Sequence, residues 1–222
     1  MARTTSEQTL SELARINTFI RSLETPGSTL CDAVREEALA DDVPIIRPET
    51  ASLLLFMIDL TKPRRILEVG TAVGYSALRM WERMPEGCVI DTIEKYPPRI
   101  EKAKENFEKA GCMDRVRLLE GDAADVLNEL DGPYDLVFMD AAKGQYISFL
   151  PRVLDLLSPG GLLFSDNVLQ EGEVLESRYA VTRRDRTIHS RMREYLFALT
   201  HTDGLTTSVV PLGDGVALSV KA

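Results

Sequence analysis

The chain has 222 residues, 44% of them hydrophobic and 27% charged, which is ordinary for a soluble globular domain with one core. Its net charge of −9 argues against nucleic-acid binding over the bulk of the surface. No apolar run reaches the roughly 18 to 20 residues of a membrane span. The polar N-terminus lacks the apolar core of a signal peptide, so we expect a cytoplasmic protein.

The first 60 residues are predicted to be helical. Apolar residues at helical spacing indicate a helix over residues 6–22, and two further helices are predicted over 28–40 and 49–60. Pro48 suits the first turn of the last of these. We interpret residues 1–60 as a helical addition to a single domain that spans 1–222.

From residue 64 onward, short apolar runs alternate with helical stretches. The predicted strands are Arg65–Val69, Cys88–Ile93, Val116–Glu120, Leu136–Met139 and Gly161–Ser165, and the predicted helices between them cover 74–84, 97–110, 123–130 and 145–157. This alternation predicts a doubly wound, Rossmann-like α/β fold with a mostly parallel sheet over 64–222.

The C-terminal part breaks this alternation. After a long loop and a helix over 184–200, two β-rich runs, Thr206–Pro211 and Val216–Val220, flank a turn at Gly213 to Gly215. The pattern predicts a hairpin that brings the sheet to seven strands and makes its last strand antiparallel.

A glycine-rich loop follows the first predicted strand. Gly70 and Gly74 lie where doubly wound proteins bind nucleotides, but the spacing of the dinucleotide motif and the phosphate-loop lysine are both missing. Glu94, at the end of the second strand, can accept both hydroxyls of a ribose, or it can simply be a helix N-terminal charge. Glu68 beside the loop suits a sulfonium or ammonium ligand better than a pyrophosphate.

Acidic residues end the fourth and fifth predicted strands. Asp140 follows one, and Asp166 and Asn167 follow the other. Because neighbouring strands lie about 4.8 Å apart, these oxygen-bearing side chains are expected to face one another. Hard oxygen ligands suit magnesium or calcium, and no imidazole or thiolate lies nearby in sequence to favour zinc. The alternative is that these residues only cap strands and form a turn.

The stretch EVGTAVGYSALRM, the later Glu94 and these acidic strand ends resemble a known family. They are similar to the class I S-adenosylmethionine-dependent, metal-dependent O-methyltransferases, which include the catechol and caffeoyl-CoA O-methyltransferases; the resemblance covers roughly residues 44–220. It implies S-adenosylmethionine as cofactor, with Mg²⁺ or another hard divalent cation.

The resemblance also implies roles for individual residues. Ser76 would bind the methionine carboxylate, Ile46 would contact the cofactor through its backbone, Glu94 would hold the ribose and Ala123 would lie at the adenine. The remaining residues of the implied cofactor set are Glu68, Gly70 and Asp140.

The implied catalytic centre joins a metal site and a lysine. Asp140, Asp166 and Asn167 would bind the metal, with Lys143 as general base. The reaction that follows is attack of a metal-activated hydroxyl on the sulfonium methyl.

The acceptor is not fixed by these motifs. Residues 177–193 hold six arginines and one aspartate, a net +5, which leaves −14 for the rest of the chain. The stretch RRDRTIHSRMREY, followed later by PLGDGVALS, resembles the bacterial tRNA 5-hydroxyuridine methyltransferases, and this resemblance implies the wobble base of a tRNA anticodon loop as substrate. The candidate phosphate contacts are Arg183, Arg184, Arg186 and Arg193. The alternative is that these arginines bind no phosphate and only form the solvent-exposed face of a helix.

Two alternatives to a tRNA substrate stay open. One is a small-molecule catechol or phenylpropanoid O-methyltransferase. Animal catechol enzymes use a carboxylate to hold the second hydroxyl, but the corresponding position falls near Ser208 here, where no acid is present. The other is a cofactor-binding module without catalysis, for which a metal site has no purpose. The N-terminal helices are expected either to cover the pocket or to form a homodimer interface.

Overall fold

The computed structural model describes residues 15–23, 25–177 and 179–222, with the side chain of Glu171 left out. Residues 15–22 form helix α1, whereas residues 6–14 of the predicted first helix lie outside the described ranges. Two further helices follow, α2 over Thr29–Ala40 and α3 over Pro48–Thr61. Ser28 caps α2, and Pro48 takes the first-turn position predicted for it.

A seven-stranded sheet forms the centre of the fold. Its strands are β1 (Arg65–Val69), β2 (Val89–Glu94), β3 (Val116–Glu120), β4 (Tyr134–Met139), β5 (Leu157–Ser165), β6 (Leu205–Val210) and β7 (Val216–Lys221). The order is β3-β2-β1-β4-β5-β7-β6, in which β7 runs antiparallel to both of its neighbours and the first five strands are parallel. The predicted Rossmann-like sheet is therefore confirmed.

Five helices connect or flank the strands. They are α4 (Tyr75–Arg83), α5 (Pro97–Ala110), α6 (Ala123–Glu129), α7 (Tyr146–Leu156) and α8 (Arg186–His201), with 3₁₀ helices over Lys143–Gln145 and Gln170–Leu175. In the part of the chain that the structure describes, no helix combines the length and hydrophobicity needed to cross a membrane.

The sheet is buried on both faces. Alternate strand residues point to opposite sides, so Ile66 packs with the α2–α5 layer while Leu67 packs with the α6–α8 layer. Fully buried residues such as Phe138 and Tyr195 anchor the two layers, and each such side chain contributes roughly 1.5–3 kcal/mol. The carboxyl ends of the parallel strands are thus held in a fixed frame.

The predicted element bounds are wrong in a few places, each for a physical reason. Strand β5 begins at Leu157 rather than Gly161, because Leu157 pairs with Tyr134 before the register shifts. The intervening Ser-Pro-Gly-Gly stretch has the composition of a turn, but it lies within β5 at the point where the register shifts. The predicted helix over 145–157 is preceded by the 3₁₀ turn at Lys143–Gln145, and the long loop after β5 contains a second one.

Candidate active site and cofactor cleft

A cavity of about 590 Å³ lies at the carboxyl ends of the parallel strands. Most of the residues predicted for the cofactor and metal line it, namely Ile46, Gly70, Ser76, Glu94, Ala123, Asp140, Lys143 and Asn167. Ligands of doubly wound proteins bind at this edge of the sheet. The structure therefore brings the sequence-predicted glycine loop, Asp140 and Asn167 to one cleft, whereas Asp166 is buried outside the cavity lining.

The turn after β1 lets the backbone pass very close to the next strand. The amides of Gly70 and Thr71 both donate to the carbonyl of Ile93, at 3.0 and 3.1 Å. Gly70 has φ +98°, and a Cβ on it would lie 2.5 Å from the backbone oxygen of Asp140. Only glycine fits this position, because the conformation and the lack of space both exclude a side chain.

Glu94 is held in place by the backbone around it. One of its carboxylate oxygens accepts from the amide of Ala72 at 3.0 Å, and the other accepts from the amides of Lys95 and Tyr96 at 2.8 and 2.9 Å. A carboxylate offers about four acceptor positions. The side chain therefore keeps capacity for a ribose hydroxyl while its orientation is fixed.

Ala72 is the one non-glycine residue of this loop with a left-handed conformation, at φ 49°. Such a backbone costs an alanine roughly 1–2 kcal/mol. The conformation directs the Ala72 amide to Glu94, so the strain is offset by the contact that orients the predicted ribose ligand.

Glu68 lies behind the cleft and not on its wall. Its carboxyl is fully buried in β1 and accepts a hydrogen bond from the hydroxyl of Thr92. Burial raises the pKa of Glu68, although the hydroxyls of Ser76, Thr71 and Thr92 oppose the increase. Ser76 lines the cavity, whereas Glu68 does not. A cofactor contact through the Glu68 side chain therefore stays a prediction.

The two predicted metal carboxylates follow paired strand ends. Met139 of β4 is in register with Ser165 of β5, so Asp140 and Asp166 are the next residues on neighbouring strands. The Asp166 amide donates to the Met139 carbonyl at 3.0 Å. The hydroxyl of Tyr146 lies within hydrogen-bond distance of the carbonyls of Met139 and Asp166, at 3.0 and 3.1 Å, and so joins the two strand ends.

The electrostatics at these strand ends are unfavourable without a cation. Asp166 accepts from the Asn167 amide at 2.7 Å through one oxygen, while its other oxygen is buried with no hydrogen-bond partner among the described residues. Burial raises the pKa of both Asp140 and Asp166, and the negative charges of Asp166 and Glu68 raise that of Asp140 further. A buried carboxylate oxygen without a donor is costly, and a bound cation removes that cost.

The donor chemistry fits a hard cation. Two carboxylates and the amide oxygen of Asn167 are the oxygen ligands that Mg²⁺ prefers. Over residues 15–23, 25–177 and 179–222, no group of three or more His, Cys, Asp or Glu side chains is arranged to hold a metal ion, so the candidate set depends on the asparagine. Asn167 has φ 57°, a left-handed conformation that asparagine tolerates better than most residues.

Asp214 is a site residue that the sequence reasoning missed. It lines the cavity, and its carboxylate lies 3.1 Å from the Nζ atom of Lys143. Strand β7 runs antiparallel to β5, so the turn before β7 returns to the edge where β5 ends. The sequence could have predicted this position, because an antiparallel last strand must begin at the carboxyl edge of the parallel strands, and the Gly213–Gly215 turn directly precedes it. Arg47, also overlooked, lines the same cavity.

The four arginines predicted to bind tRNA lie outside the cavity lining. Arg186 donates to the carbonyl of Val181 at 3.3 Å, and Arg193 donates to that of Val174 at 2.9 Å. Arg183 and Arg184 are exposed on the segment that leads into α8. The structure thus separates the set into two residues that brace the loop after β5 and two that face solvent.

The sequence and the fold both have relatives. A family model described as O-methyltransferase matches residues 29–222. A protein of Mycolicibacterium vanbaalenii named as a candidate O-methyltransferase is 34% identical over 191 residues, which cover 85% of this chain and 82% of that protein. A catechol O-methyltransferase of Niastella koreensis is 33% identical over 135 residues, or 59% of this chain and 61% of that protein.

Solved structures give the same result. A methyltransferase of Podospora anserina bound to S-adenosylhomocysteine has a TM-score of 0.85 and 27% identity, with 96% of each chain covered. The O-methyltransferase TomG of Streptomyces achromogenes, in complex with S-adenosylmethionine, has a TM-score of 0.82 and 25% identity over 94% of this chain and 96% of that one. With the glycine turn and Glu94 in one cleft, this chain belongs to the O-methyltransferase family and is an S-adenosylmethionine-dependent enzyme.

Proposed function

We propose that the enzyme methylates one hydroxyl of a small aromatic vicinal diol, with a divalent cation held by Asp140, Asp166 and Asn167. The observation that carries the proposal is the pair of carboxylates at the ends of β4 and β5: Asp140 is half-buried at the cavity, and Asp166 is buried with one oxygen that has no hydrogen-bond partner among the described residues. Asp140 and Asn167 line the cavity that also holds most of the predicted cofactor residues, and Asp166 is the residue between Asn167 and the end of β5. The catechol O-methyltransferase among the relatives supports this acceptor class and disfavours a module without catalysis.

The chain's own residues divide the work between cofactor and acceptor. When bound, the cofactor supplies a methyl group on a sulfonium and the cation supplies a Lewis acid that makes a diol hydroxyl more acidic. Glu94 orients the ribose, and Ser76 and Ala123 bind the methionine and adenine ends. Lys143 lines the same cavity as Asp140 and its ammonium is ion-paired with Asp214, so it is placed to stabilise the oxyanion of the acceptor, while the hydroxyl proton leaves to solvent.

A tRNA wobble 5-hydroxyuridine is the second candidate acceptor, because it also presents two adjacent oxygens. One contact favours it: Arg191 of α8 donates to the carbonyl of Gly144 at 3.0 Å, which places the basic segment beside the turn that carries Lys143. Arg183 and Arg184, exposed on the segment that leads into α8, are the residues left to bind phosphates. The commitment of Arg186 and Arg193 to backbone carbonyls makes this candidate the weaker one.

The two acceptors are separated by measuring methyl transfer from labelled S-adenosylmethionine in the presence of Mg²⁺. We expect transfer to caffeic acid, and we expect the double change Arg183→Ala and Arg184→Ala to leave its rate within about twofold, because both arginines are exposed and neither lines the cavity. The parallel reaction uses tRNA from a strain that lacks its own wobble methyltransferase.

The opposite pattern would overturn this choice. It is transfer to tRNA alone, which weakens steeply as salt rises and falls when the two arginines are changed. Transfer to neither acceptor by an enzyme that binds the cofactor would contradict both candidates.

We also propose that the chain forms a homodimer through apolar residues of α1 and α3. Ile16, Phe19, Leu23, Phe56 and Leu60 are between 52% and 67% exposed and are spaced at helical intervals. The two helices lie together, because Arg21 of α1 makes a two-pronged ion pair with Glu49 of α3 at 2.6 and 2.8 Å. Exposed apolar patches of this kind mark protein interfaces.

Light scattering coupled to size-exclusion chromatography tests this surface. We expect the wild-type chain to elute as a dimer and the double variant Phe56→Asp and Leu60→Asp to elute as a monomer, because burying two carboxylates in an apolar interface is costly. Met113→Asp, at an exposed methionine away from both helices, is the matched control and should stay dimeric. A monomeric wild type, or a dimer indifferent to the double change, would refute the proposal.

A further inference from the structure

We propose that Asp214 is a positioning residue that fixes the ammonium group of Lys143 at the acceptor side of the cleft. The inference rests on the proposed function, in which the ammonium of Lys143 stabilises the acceptor oxyanion. The Lys143 Nζ atom lies 3.1 Å from a carboxylate oxygen of Asp214. The Asp214 side chain is 3% exposed and that of Lys143 is 33% exposed, so a nearly buried anion holds a partly mobile cation.

A lysine in this place needs an anchor. Its side chain is a flexible four-carbon chain, and fixing it costs about 2 kcal/mol of rotamer entropy. The ammonium at its end is a point charge without a preferred direction. Lys143 begins a single 3₁₀ turn after β4, so its backbone alone gives little control over where the ammonium lies. The contact with Asp214 supplies that control, because a charge-assisted hydrogen bond fixes both distance and direction.

The anchor itself is rigid. The amide of Val168 donates to the Gly215 carbonyl at 3.0 Å, and the amide of Leu169 donates to the Asp214 carbonyl at 2.9 Å. These bonds tie the turn before β7 to the residues that directly follow Asn167. The position of Asp214 is therefore coupled through backbone hydrogen bonds to the same segment that carries the candidate metal ligands.

Both neighbours of Asp214 are glycines packed without space. A Cβ on Gly215 would lie 2.3 Å from Leu169 Cγ, and a Cβ on Gly213 would lie 2.6 Å from Thr50 Oγ1 of α3. The turn is thus clamped between the loop after β5 and the first turn of α3. The backbone hydrogen bonds and this close packing restrict the turn, so Asp214 is the fixed partner and the longer side chain of Lys143 is the one that is held.

A purely structural role for Asp214 predicts different behaviour. A residue that only holds the turn would affect stability and every step of turnover, whether or not Lys143 is present. A residue that acts through Lys143 has no effect once that lysine is gone. A double-mutant cycle between the two positions separates these cases.

In steady-state assays with caffeic acid, we expect Asp214→Ala to lower kcat by about 10- to 100-fold, since misplacing a charged group that stabilises the reacting oxyanion costs that much. KM for S-adenosylmethionine should stay within about twofold, because Asp214 is not among the residues predicted to bind the cofactor. Asp214→Asn keeps an oxygen acceptor and should recover most of the rate. In a Lys143→Ala background, Asp214→Ala should cause no further loss.

A second readout does not depend on turnover. Acetylation of lysines by an N-hydroxysuccinimide ester, followed by mass spectrometry, reports how firmly each Nζ atom is held. In Asp214→Ala we expect Lys143 to react about threefold to fivefold faster than in the wild type, the scale of one partly exposed ion pair. Lys109, on the far part of α5, is the internal reference, and Asp203→Ala, at an exposed turn aspartate, is the matched control.

Three results would overturn the inference: an unchanged labelling rate at Lys143, a loss in the Lys143→Ala background equal to that in the wild type, or an asparagine variant as slow as the alanine variant. If the wild-type enzyme methylates neither acceptor, the proposed function fails, and the labelling rate still decides whether Asp214 holds Lys143. Thermal melts of the variants show whether any of them fails to fold.

Discussion

Replacing Asp166 by alanine is expected to abolish metal-dependent methyl transfer while leaving cofactor binding intact. A bound cation contributes several kcal/mol to a developing oxyanion, so its loss lowers the rate by about a thousandfold or more. Ser76, Glu94 and Ala123, which are predicted to bind the cofactor, lie on other elements of the cleft and are not expected to move. Initial rates with caffeic acid and Mg²⁺, together with calorimetric titration of S-adenosylmethionine, measure the two properties separately.

The Asp166 variant should also remain folded. Its carboxylate is buried beside Asp140, whose pKa is raised by burial and by the charge of Asp166. Removing Asp166 therefore removes a like-charge repulsion along with one hydrogen bond from the Asn167 amide. Asp203→Ala, an exposed aspartate on the turn before β6, is the matched control and should behave as the wild type. Wild-type rates in the Asp166 variant would refute the metal role.

The second large effect is expected at Gly70. An alanine there would bring its Cβ to 2.5 Å from the backbone oxygen of Asp140 and 3.1 Å from its carbonyl carbon, in a conformation of φ +98°. Neither strand end can move, because β1 and β4 are paired up to Val69 and Met139. We expect Gly70→Ala to lower the free energy of unfolding by about 4 kcal/mol or more, and to abolish cofactor binding.

A matched glycine separates conformational strain from collision. Gly87 has φ +79°, but a Cβ on it would meet nothing within 4 Å. Gly87→Ala therefore carries only the cost of a left-handed alanine, about 1–2 kcal/mol, and should bind the cofactor normally. Urea denaturation and calorimetry measure both variants. Equal losses in the two variants would show that the contact with Asp140 has no part in the requirement for glycine at position 70.

The parts of the site that the sequence predicted are those set by a single strand and the turn after it. Asp140 and Asp166 follow apolar runs, and the parallel order of β4 and β5 brings their ends together. The glycine loop and Glu94 follow from the same rule on β1 and β2. Each of these predictions needs only local periodicity and the fact that parallel strands share a carboxyl edge.

The remaining parts depend on contacts that no local pattern encodes. Asp214 reaches Lys143 from a turn 71 positions further along the chain, through the antiparallel pairing of β5 with β7. The hydroxyl of Tyr146 contacts the carbonyls at the ends of β4 and β5. The position of Tyr146 at the start of a helix does not predict that contact. Charge counting likewise could not show that Arg186 and Arg193 bind backbone carbonyls rather than solvent or phosphate.

The most direct test of a metal-assisted reaction is methyl transfer from S-adenosylmethionine to caffeic acid in the presence of a strong chelator, followed by addition of excess Mg²⁺. The cluster of Asp140, Asp166 and Asn167 predicts that transfer stops with the chelator and returns when the cation is restored, while cofactor affinity stays unchanged. Undiminished transfer in the chelator would contradict the assignment of these three residues as cation ligands.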